Sequence, residues 1–233
     1  MWNKTHDMNK VLAHDAATKR HPLDVVFLGD SITELWHGRM IGQAKSGAEG
    51  NPAIFRQYFT RQGGGSIEGL ALGIANDKIG NLLYRIRSKE IPDALEAKIF
   101  WILIGTNDLH RKAKCSPEVV AAGIINIIQE LQQKRPNSII VINSILPTTG
   151  FKSGVIWQKP AWEDQIQGVN RRIECYAQVS TGVEFFNATP IFVELDGRRL
   201  NTTLLPDLIH PSTLGYKLWG QEIARKIQQL LPS

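Results

Sequence analysis

Short apolar runs, each ended by a glycine or a polar residue, set the hydrophobic pattern of the chain. The run at residues 24–28 ends at Gly29, and the run at residues 98–104 ends at Gly105. Runs of this length that are apolar at almost every position are typical of strands buried on both faces of a parallel sheet. We predict strands at residues 24–28, 66–72, 98–104, 138–143 and 183–186.

Segments with helical spacing lie between and after these runs. In residues 117–134 the apolar side chains recur every three or four positions, at Val120, Ile124, Ile127 and Leu131, and Ser116-Pro117 is a typical helix start. We predict helices at residues 77–88, 117–134, 165–178 and 213–230. The alternation of strands and helices predicts an α/β fold, a three-layer α/β/α sandwich around a mostly parallel five-stranded sheet.

The size of the chain fits one domain. Its 233 residues are 42% hydrophobic and 21% charged, enough to bury a core without help from metals or disulfides. We expect residues 1–233 to form one domain, with residues 1–22 as a helical leader that packs on it. Cys115 and Cys175 match no metal-ligand spacing and are expected to be free thiols.

Charge and composition narrow the range of partners. The net charge is +5, but the basic residues are scattered and only 8% of the residues are aromatic, so we expect no nucleic-acid partner. No apolar run is long enough for a transmembrane helix, and the polar N-terminus shows no export signal. The compartment stays open, with the cytoplasm slightly favoured over secretion.

Polar residues follow the predicted strands at the edge where ligands bind in such sheets. Ser31 comes directly after Gly29-Asp30, at a turn from strand to helix. Taken alone, Asp30 and Ser31 would be an ordinary helix cap. Gly73 and Asn107 follow two other strands, and a backbone N–H and an amide at this edge are donors suited to an oxyanion hole.

A carboxylate and an imidazole precede the last helix. Asp207 and His210 are three residues apart, close enough to meet within one turn. A serine hydroxyl becomes a nucleophile when a neutral histidine takes its proton, and the histidine needs a partner that fixes its tautomer. Ser31, His210 and Asp207 therefore form a candidate catalytic triad, although a capping aspartate beside a surface histidine would explain the last pair alone.

In combination and order, these blocks resemble the GDSL or SGNH hydrolases. The matching blocks are Gly29-Asp30-Ser31, Gly73, Gly105-Thr106-Asn107-Asp108 and Asp207-Leu208-Ile209-His210. The segments around Ser31 and His210 are similar to the branch with platelet-activating-factor acetylhydrolase subunits and carbohydrate or lipid esterases. The resemblance implies a flavodoxin-like α/β/α fold and serine-dependent hydrolysis of carboxylic esters, acetyl esters included, through an acyl-enzyme on Ser31.

The same resemblance implies the roles of the site residues. Ser31 is the nucleophile, His210 the base and Asp207 its orienting partner, while Gly73 and Asn107 join the Ser31 N–H in the oxyanion hole. It implies no metal and no organic cofactor, and a small-molecule, lipid or carbohydrate ester as the substrate. The residues that bind the substrate are not identified.

One departure from the family pattern keeps alternatives open. After Gly73 the branch usually continues with isoleucine and two glycines, whereas this chain has Ile74, Ala75 and Asn76, which we expect to narrow the acyl site or tilt the loop. The alternatives are a non-catalytic scaffold or dimer subunit, and a thioesterase or acyltransferase that uses the same triad. A flavin- or nucleotide-binding domain is disfavoured because no glycine-rich phosphate loop is present. A homodimer also stays open.

Weaker signals lie in the loops and the leader. Residues 146–163 form a long predicted loop that could border the substrate. A basic rim around the candidate site is suggested by Arg198, Arg199 and the basic residues at positions 111, 112 and 114. Ordinary solvated surface charge explains these residues better. We expect Trp36 to pack under the sheet, and His6 and His14 to lie on the polar face of the leading helix.

Overall fold

The computed structural model describes residues 1–18, 22–109, 115–148 and 160–231, with the side chains of residues 160–163 left out. Five strands form one parallel sheet, and two short strands form an antiparallel ribbon. The strands are β1 (Leu23–Gly29), β2 (Arg39–Met40), β3 (Gln43–Ala44), β4 (Gly69–Gly73), β5 (Ala97–Leu103), β6 (Ile139–Asn143) and β7 (Val183–Phe186).

Helices fill the connections between the strands. They are α1 (Trp2–Ala17), α2 (Ser31–Glu34), α3 (Asn51–Phe59), α4 (Ile79–Arg87), α5 (Thr106–Leu109), α6 (Pro117–Lys134), α7 (Pro160–Val179), α8 (Thr189–Phe192) and α9 (Thr213–Leu230). A short 3₁₀ helix, Leu35–His37, continues α2. Within the described part of the chain, no helix is long and apolar enough to cross a membrane.

The sheet order is β4-β1-β5-β6-β7. The direction of connection reverses at β1, whose neighbours are β4 on one side and β5 on the other. Ligands of parallel sheets bind beyond the carboxyl ends of the strands at such a reversal point. This topology places the residue after β1, Ser31, at that point.

Each face of the sheet has its own hydrophobic core. On one face Val26, Leu28 and Phe100 pack against helices α1, α4, α6 and α7. On the other face Phe27 and Trp101 pack against α3, α8 and α9. The predicted three-layer α/β/α sandwich is therefore confirmed.

The second core contains the aromatic side chain after the Ser31 helix. Trp36 is 1% exposed and stacks on Trp219 of α9, with ring centroids 5.4 Å apart. Its ring also meets Tyr216 edge-on at 4.5 Å. Trp36 thus packs under the sheet, as the sequence predicted, and it joins the segment after Ser31 to the last helix.

Several predicted boundaries were wrong. Strand β4 begins at Gly69, three residues later than predicted, and α7 begins at Pro160, inside the stretch predicted as a loop. Residues 149–159 of that loop lie outside the described residues. Helix α3 was not predicted, because its apolar residues Phe55 and Phe59 are one turn apart in a segment too short for a clear period.

Helix α1 contributes polar side chains to a buried region beside β4. The Trp2 Nε1 donates to Asp77 Oδ1 at 2.6 Å, and the Asn9 Nδ2 donates to the Gly73 carbonyl at 3.3 Å. His6 is buried, at 5% exposure, so its predicted place on the polar face was wrong, whereas His14 is exposed. Burial lowers the pKa of His6, which favours its neutral form.

A fully buried guanidinium lies at the centre of this region. Arg85 of α4 donates from Nε to Asp77 at 2.7 Å, from Nη1 to Glu90, and from Nη2 to the Gly29 carbonyl at 2.7 Å. Burial raises the pKa of both carboxyl groups, and the charge of Arg85 opposes that shift. Arg85 therefore ties the end of β1 to the segment that follows β4.

Candidate active site

Ser31 is the first residue of α2, immediately after the turn at the end of β1. The Asp30 Oδ1 caps this helix by accepting from the Ile32 N–H at 3.0 Å. A Cβ atom on Gly29 would lie 2.2 Å from the Leu103 carbonyl oxygen and 2.3 Å from Thr33 Oγ1, so only glycine fits there. This close turn places the Ser31 side chain at the carboxyl edge of the sheet.

The residues predicted as a triad form a continuous chain of hydrogen bonds. The distance from Ser31 Oγ to His210 Nε2 is 2.9 Å, and the distance from His210 Nδ1 to Asp207 Oδ2 is 2.7 Å. The other oxygen of Asp207 accepts from the backbone N–H groups of His210 at 2.7 Å and Ile209 at 3.0 Å. The carboxylate thus holds both the imidazole and the turn that carries it.

The charge of Asp207 determines which imidazole nitrogen carries the proton. Burial by itself raises the pKa of this carboxyl, but the hydrogen bonds from His210 and Ile209 outweigh it and hold the pKa at about 2. An ionised carboxylate can only accept, so His210 Nδ1 must donate to it. Nε2 of the neutral ring is then left to accept the Ser31 hydroxyl proton.

Two contacts hold the 207–210 turn and the helix that follows it. The Thr148 hydroxyl, after β6, donates to the Leu208 carbonyl. Beyond the turn, the Tyr216 hydroxyl of α9 donates to the Ile32 carbonyl at 2.7 Å. Ile32 is next to the nucleophile, so α9 is joined directly to the nucleophile helix α2.

The segment after β4 packs tightly against α2. A Cβ atom on Gly73 would lie 2.2 Å from the Glu34 nitrogen and 2.6 Å from the Asp30 carbonyl oxygen, so the close approach of two backbones requires glycine there. The Ile74 N–H donates to the Gly29 carbonyl at 3.3 Å, which closes the ladder between β1 and β4.

The N–H groups of the next residues differ in their partners. The Ala75 N–H donates to Glu34 Oε2 at 2.7 Å, and the Asp77 N–H to the Ile74 carbonyl at 3.1 Å. The N–H of Asn76 has no hydrogen-bond partner among the described residues. Asn76 has φ 68°, a left-handed conformation that asparagine tolerates better than most residues, which explains how it replaces a glycine here.

Asn107 lies just after the neighbouring strand, β5. It belongs to α5, which follows β5 and Gly105, whose φ of 116° is suited to glycine. The Asn107 Nδ2 donates to the Asp77 carbonyl at 2.9 Å. This bond uses one of the two amide hydrogens and ties Asn107 to the 74–77 segment, leaving the second hydrogen for another acceptor.

A second carboxyl group lies beside the nucleophile. Asp30 is 1% exposed, and its Oδ2 has no hydrogen-bond partner among the described residues. Burial raises the pKa of Asp30 to about 7, although the Ile32 N–H and the nearby His210 act in the opposite direction. This group therefore changes its charge in the neutral pH range.

An apolar cleft of about 270 Å³ opens at the same edge of the sheet, beyond β6 and β7. Thr148, which bonds to the Leu208 carbonyl, is part of its wall, so the cleft adjoins the 207–210 turn. Its other wall residues include Pro147, Ile166, Asn170, Asn187 and Pro190.

Some predicted features have a different status in the structure. Residues 110–114, which carry part of the predicted basic rim, lie outside the described residues, while Arg198 and Arg199 are exposed. Arg199 is 3.6 Å from Asp196.

In the part of the chain that is described, no group of three or more histidine, cysteine or acidic side chains could hold a metal ion. Sequence reasoning missed Glu34 and Tyr216, whose partners are backbone atoms that leave no residue pattern.

The chain is similar to known proteins over most of its length. Residues 27–218 match the model of the GDSL-like lipase/acylhydrolase family. Among curated proteins, platelet-activating factor acetylhydrolase IB subunit alpha1 of Homo sapiens is 27% identical over 201 residues, which cover 86% of this chain and 74% of that protein. Subunit alpha2 of the same enzyme from Bos taurus is 26% identical over 208 residues, 89% of this chain and 77% of that protein.

Solved structures share the fold. A GDSL-like lipase from Bacteroides thetaiotaomicron superposes with a TM-score of 0.70 at 23% identity, covering 97% of this chain and 100% of that one. An acetyl-xylooligosaccharide esterase from Geobacillus Stearmophilus superposes with a TM-score of 0.64 at 20% identity, covering 91% and 97%. The match to the family model spans most of the sequence and includes Ser31, Asp207 and His210. The chain therefore belongs to the GDSL-like lipase/acylhydrolase family.

Proposed function

We propose that this protein is a serine esterase that hydrolyses carboxylic esters through an acyl-enzyme on Ser31. The observation that carries the proposal is the hydrogen-bonded chain from Ser31 Oγ through His210 to Asp207, with links of 2.9 and 2.7 Å. These are the distances at which a base can take a proton from a nucleophile. Membership of a family of lipases and acylhydrolases supports the same reaction class.

The first step is acylation of Ser31. Its oxygen attacks the ester carbonyl carbon while His210 Nε2 takes the hydroxyl proton, so the ring becomes an imidazolium. Asp207, ionised because its pKa is about 2, stabilises that cation through Nδ1–H. When the tetrahedral intermediate collapses, the C–O bond to the alcohol breaks and His210 returns the proton to the alcohol oxygen.

The second step is hydrolysis of the acyl-enzyme. His210, again neutral, takes a proton from a water molecule whose oxygen attacks the acyl carbon. The bond to Ser31 Oγ then breaks, the proton passes from His210 to that oxygen, and the free acid leaves. No redox chemistry is needed, since each step only moves protons and the acyl group.

The negative oxygen of both intermediates needs donors. We propose the Ser31 N–H, the second amide hydrogen of Asn107 and one N–H of the 73–76 segment. For that segment the sequence predicts Gly73, and the N–H of Asn76, which has no partner among the described residues, is a second candidate.

The names of two relatives support a proposal for the substrate class. Two relatives are named as an acetylhydrolase and an acetyl-xylooligosaccharide esterase, and these names favour a short acyl chain for the substrate of this protein as well. The apolar cleft beyond β6 and β7 adjoins the 207–210 turn and offers room for an apolar part of the ester.

The test is hydrolysis of p-nitrophenyl acetate, butyrate and octanoate by the wild type and by Ser31→Ala, with fluorophosphonate labelling of each. A matched control is Ser66→Ala, since Ser66 is an exposed serine before β4, at the opposite end of the sheet. We expect turnover and labelling to vanish together in Ser31→Ala and to persist in Ser66→Ala. A folded wild type that neither turns over nor takes the label would support the non-catalytic scaffold instead.

A thioesterase or acyltransferase would use the same acyl-enzyme. A thioesterase differs from an esterase in the leaving group, and an acyltransferase differs in the acceptor. Thioester turnover and acyl transfer to added alcohols should therefore be measured beside ester hydrolysis. If oxygen esters are the best substrates and water is the main acceptor, the esterase assignment stands.

A further inference from the structure

Glu34 is a buried carboxylate at the end of the nucleophile helix. Glu34 is 2% exposed and lies three positions after Ser31 on α2. Among the described residues it has no ion-pair partner. A charge buried without a cation needs hydrogen-bond donors, so the donors around it show what the carboxylate holds.

The donors to Glu34 among the described residues are backbone N–H groups from two loops. Oε2 accepts from Ala75 at 2.7 Å and from Ile41 at 2.9 Å, and Oε1 accepts from Gly42 at 2.6 Å. Ala75 belongs to the segment after β4, while Ile41 and Gly42 form the turn of the β2–β3 ribbon. One side chain thus joins both loops to the helix that carries the nucleophile.

The Ala75 bond lies between the two candidate oxyanion donors of its loop. Gly73 precedes Ala75 and packs on the α2 backbone, and Asn76 follows it in a left-handed conformation. A carboxylate that holds the N–H of Ala75 fixes the orientation of the peptide groups on either side. Hydrogen bonds to an ionised acceptor are short and strong, which suits this task.

We propose that Glu34 is a positioning residue that holds the 73–76 segment against α2, so that its free N–H stays directed at the developing oxyanion. The proposal rests on the serine esterase function proposed above. It assigns Glu34 no contact with the substrate and no proton transfer. Glu34 stabilises the transition state and not the bound substrate. Its loss therefore lowers kcat and leaves KM nearly unchanged.

The test compares Glu34→Gln with Asp24→Asn. Glutamine keeps the size of Glu34 but turns an NH₂ group towards at least one backbone N–H. Asp24 is a buried carboxylate, 2% exposed, that also accepts a backbone N–H, from Glu68 at 2.9 Å, but it pairs with Arg61 and Lys98 and lies at the opposite end of β1. Rates are expressed per active site titrated with fluorophosphonate, so that unfolded protein does not lower the value of kcat.

We expect kcat of Glu34→Gln on p-nitrophenyl acetate to fall by about tenfold or more, with KM changed less than about threefold, because loss of one oxyanion donor costs roughly 10²–10³ in kcat. Asp24→Asn should lose thermal stability but keep kcat within about twofold. If kcat per titrated site is unchanged in Glu34→Gln, or falls equally in both variants, the proposal is wrong.

A second variant removes the same bond from its donor side. Ala75→Pro removes the N–H donor and leaves the Ile41 and Gly42 bonds in place. It should lower kcat in the same way, and its combination with Glu34→Ala should lose no more than the worse single variant, because both changes remove the bond between Ala75 and Glu34. Wild-type kcat in Ala75→Pro, or full additivity in the double variant, would overturn the proposal.

Hydrogen exchange separates this proposal from the esterase assignment. In Glu34→Ala, which removes both acceptor oxygens, the amides of Ala75, Ile41 and Gly42 should exchange faster, whether or not the protein hydrolyses esters. If the wild type shows no Ser31-dependent turnover, the esterase proposal fails and exchange alone decides whether Glu34 holds the loops. Unchanged protection of Ala75 would show that Glu34 does not hold this segment.

Discussion

The hydroxyl of Tyr216 donates to the carbonyl of Ile32 at 2.7 Å, across 184 residues of sequence. Ile32 follows the nucleophile, and Tyr216 lies in the second turn of α9, six residues after His210. The bond therefore joins the helix that begins after the base to the helix that begins with Ser31. Tyr216 is fully buried, and burial raises the pKa of its hydroxyl, so it stays a donor.

Tyr216→Phe should weaken both the fold and the site. The Ile32 carbonyl would be left without this donor, which costs about 1–3 kcal/mol in the free energy of unfolding. We expect kcat/KM to fall less than tenfold, because the triad itself stays intact. Urea unfolding and ester hydrolysis measure the two effects. Tyr84→Phe, at a tyrosine 57% exposed, serves as the control, and equal losses in both variants would contradict the role of the Ile32 bond.

Arg85→Leu should be one of the most destabilising single changes in the described core. It leaves Asp77 and Glu90 buried without their cation, and breaking a buried ion pair in this way costs about 3–5 kcal/mol. Arg87→Leu is the control, because Arg87 is 54% exposed and its pair with Glu130 contributes roughly 0–1 kcal/mol. The measurement is the unfolding midpoint of both variants in urea. A loss in Arg85→Leu no larger than that in Arg87→Leu would refute the importance of the buried network.

Asp207→Asn should lower kcat by roughly 10²–10⁴, because asparagine can present its NH₂ to His210 Nδ1 and so favour the wrong tautomer. Asp196→Asn changes an exposed loop aspartate and should leave kcat near the wild-type value. Steady-state hydrolysis of p-nitrophenyl acetate measures both. Retention of more than a tenth of wild-type kcat in Asp207→Asn would argue that Asp207 does not orient the base.

Asp207 also contributes to acid stability. Its pKa in the folded protein is about 2, below the value of 3.8 for a free side chain. The unfolded chain therefore binds the proton more readily, so the contribution is present above pH 4 and is lost as the pH falls from 4 towards 2. Thermal unfolding of the wild type and Asp207→Asn should converge over this range. A difference that stays constant from pH 5 to pH 2 would contradict the lowered pKa.

Asp30→Asn tests the buried carboxyl beside the nucleophile. Its folded pKa is about 7, against 3.8 for a free side chain, so the folded state holds the proton more tightly between these values. Stability should therefore fall as the pH rises through this window, by on the order of 4 kcal/mol at most, and the fall should be absent in Asp30→Asn. Urea unfolding from pH 4.5 to pH 8 measures this difference.

The same variant separates two groups in the pH–rate profile. Asp207 stays ionised at assay pH, so comparison with Asp30→Asn shows whether an acid limb of kcat/KM belongs to Asp30. We expect that limb to persist in the variant. If it disappears, the limb of the wild type belongs to Asp30 and not to the proposed base.

Much of the fold could be predicted from the chain because its signals are local. Helices α6 and α9 match their predicted bounds, since long apolar periods and capping residues mark them, and strand β7 matches as a short and mostly apolar run. Strand β4 and helix α7 were misplaced at one end, because glycines and polar residues blur the pattern there. The burial of His6 could not be predicted, because a polar side chain on a helix shows no sign of the polar partners it will meet.

The sequence by itself determined the α/β class, the position of Ser31 at a strand-to-helix turn, and the set of residues from which a triad could form. These features depend on the spacing of hydrophobic residues and on the chemistry of single side chains. Both can be read from residues that are close together in the sequence. The tertiary structure decided that Ser31 and His210 lie 2.9 Å apart, that Glu34 accepts from two loops, and that Arg85 is buried with Asp77. Such contacts join backbone and side-chain atoms that only the packing of the sheet and helices brings together, so no spacing along the chain encodes them.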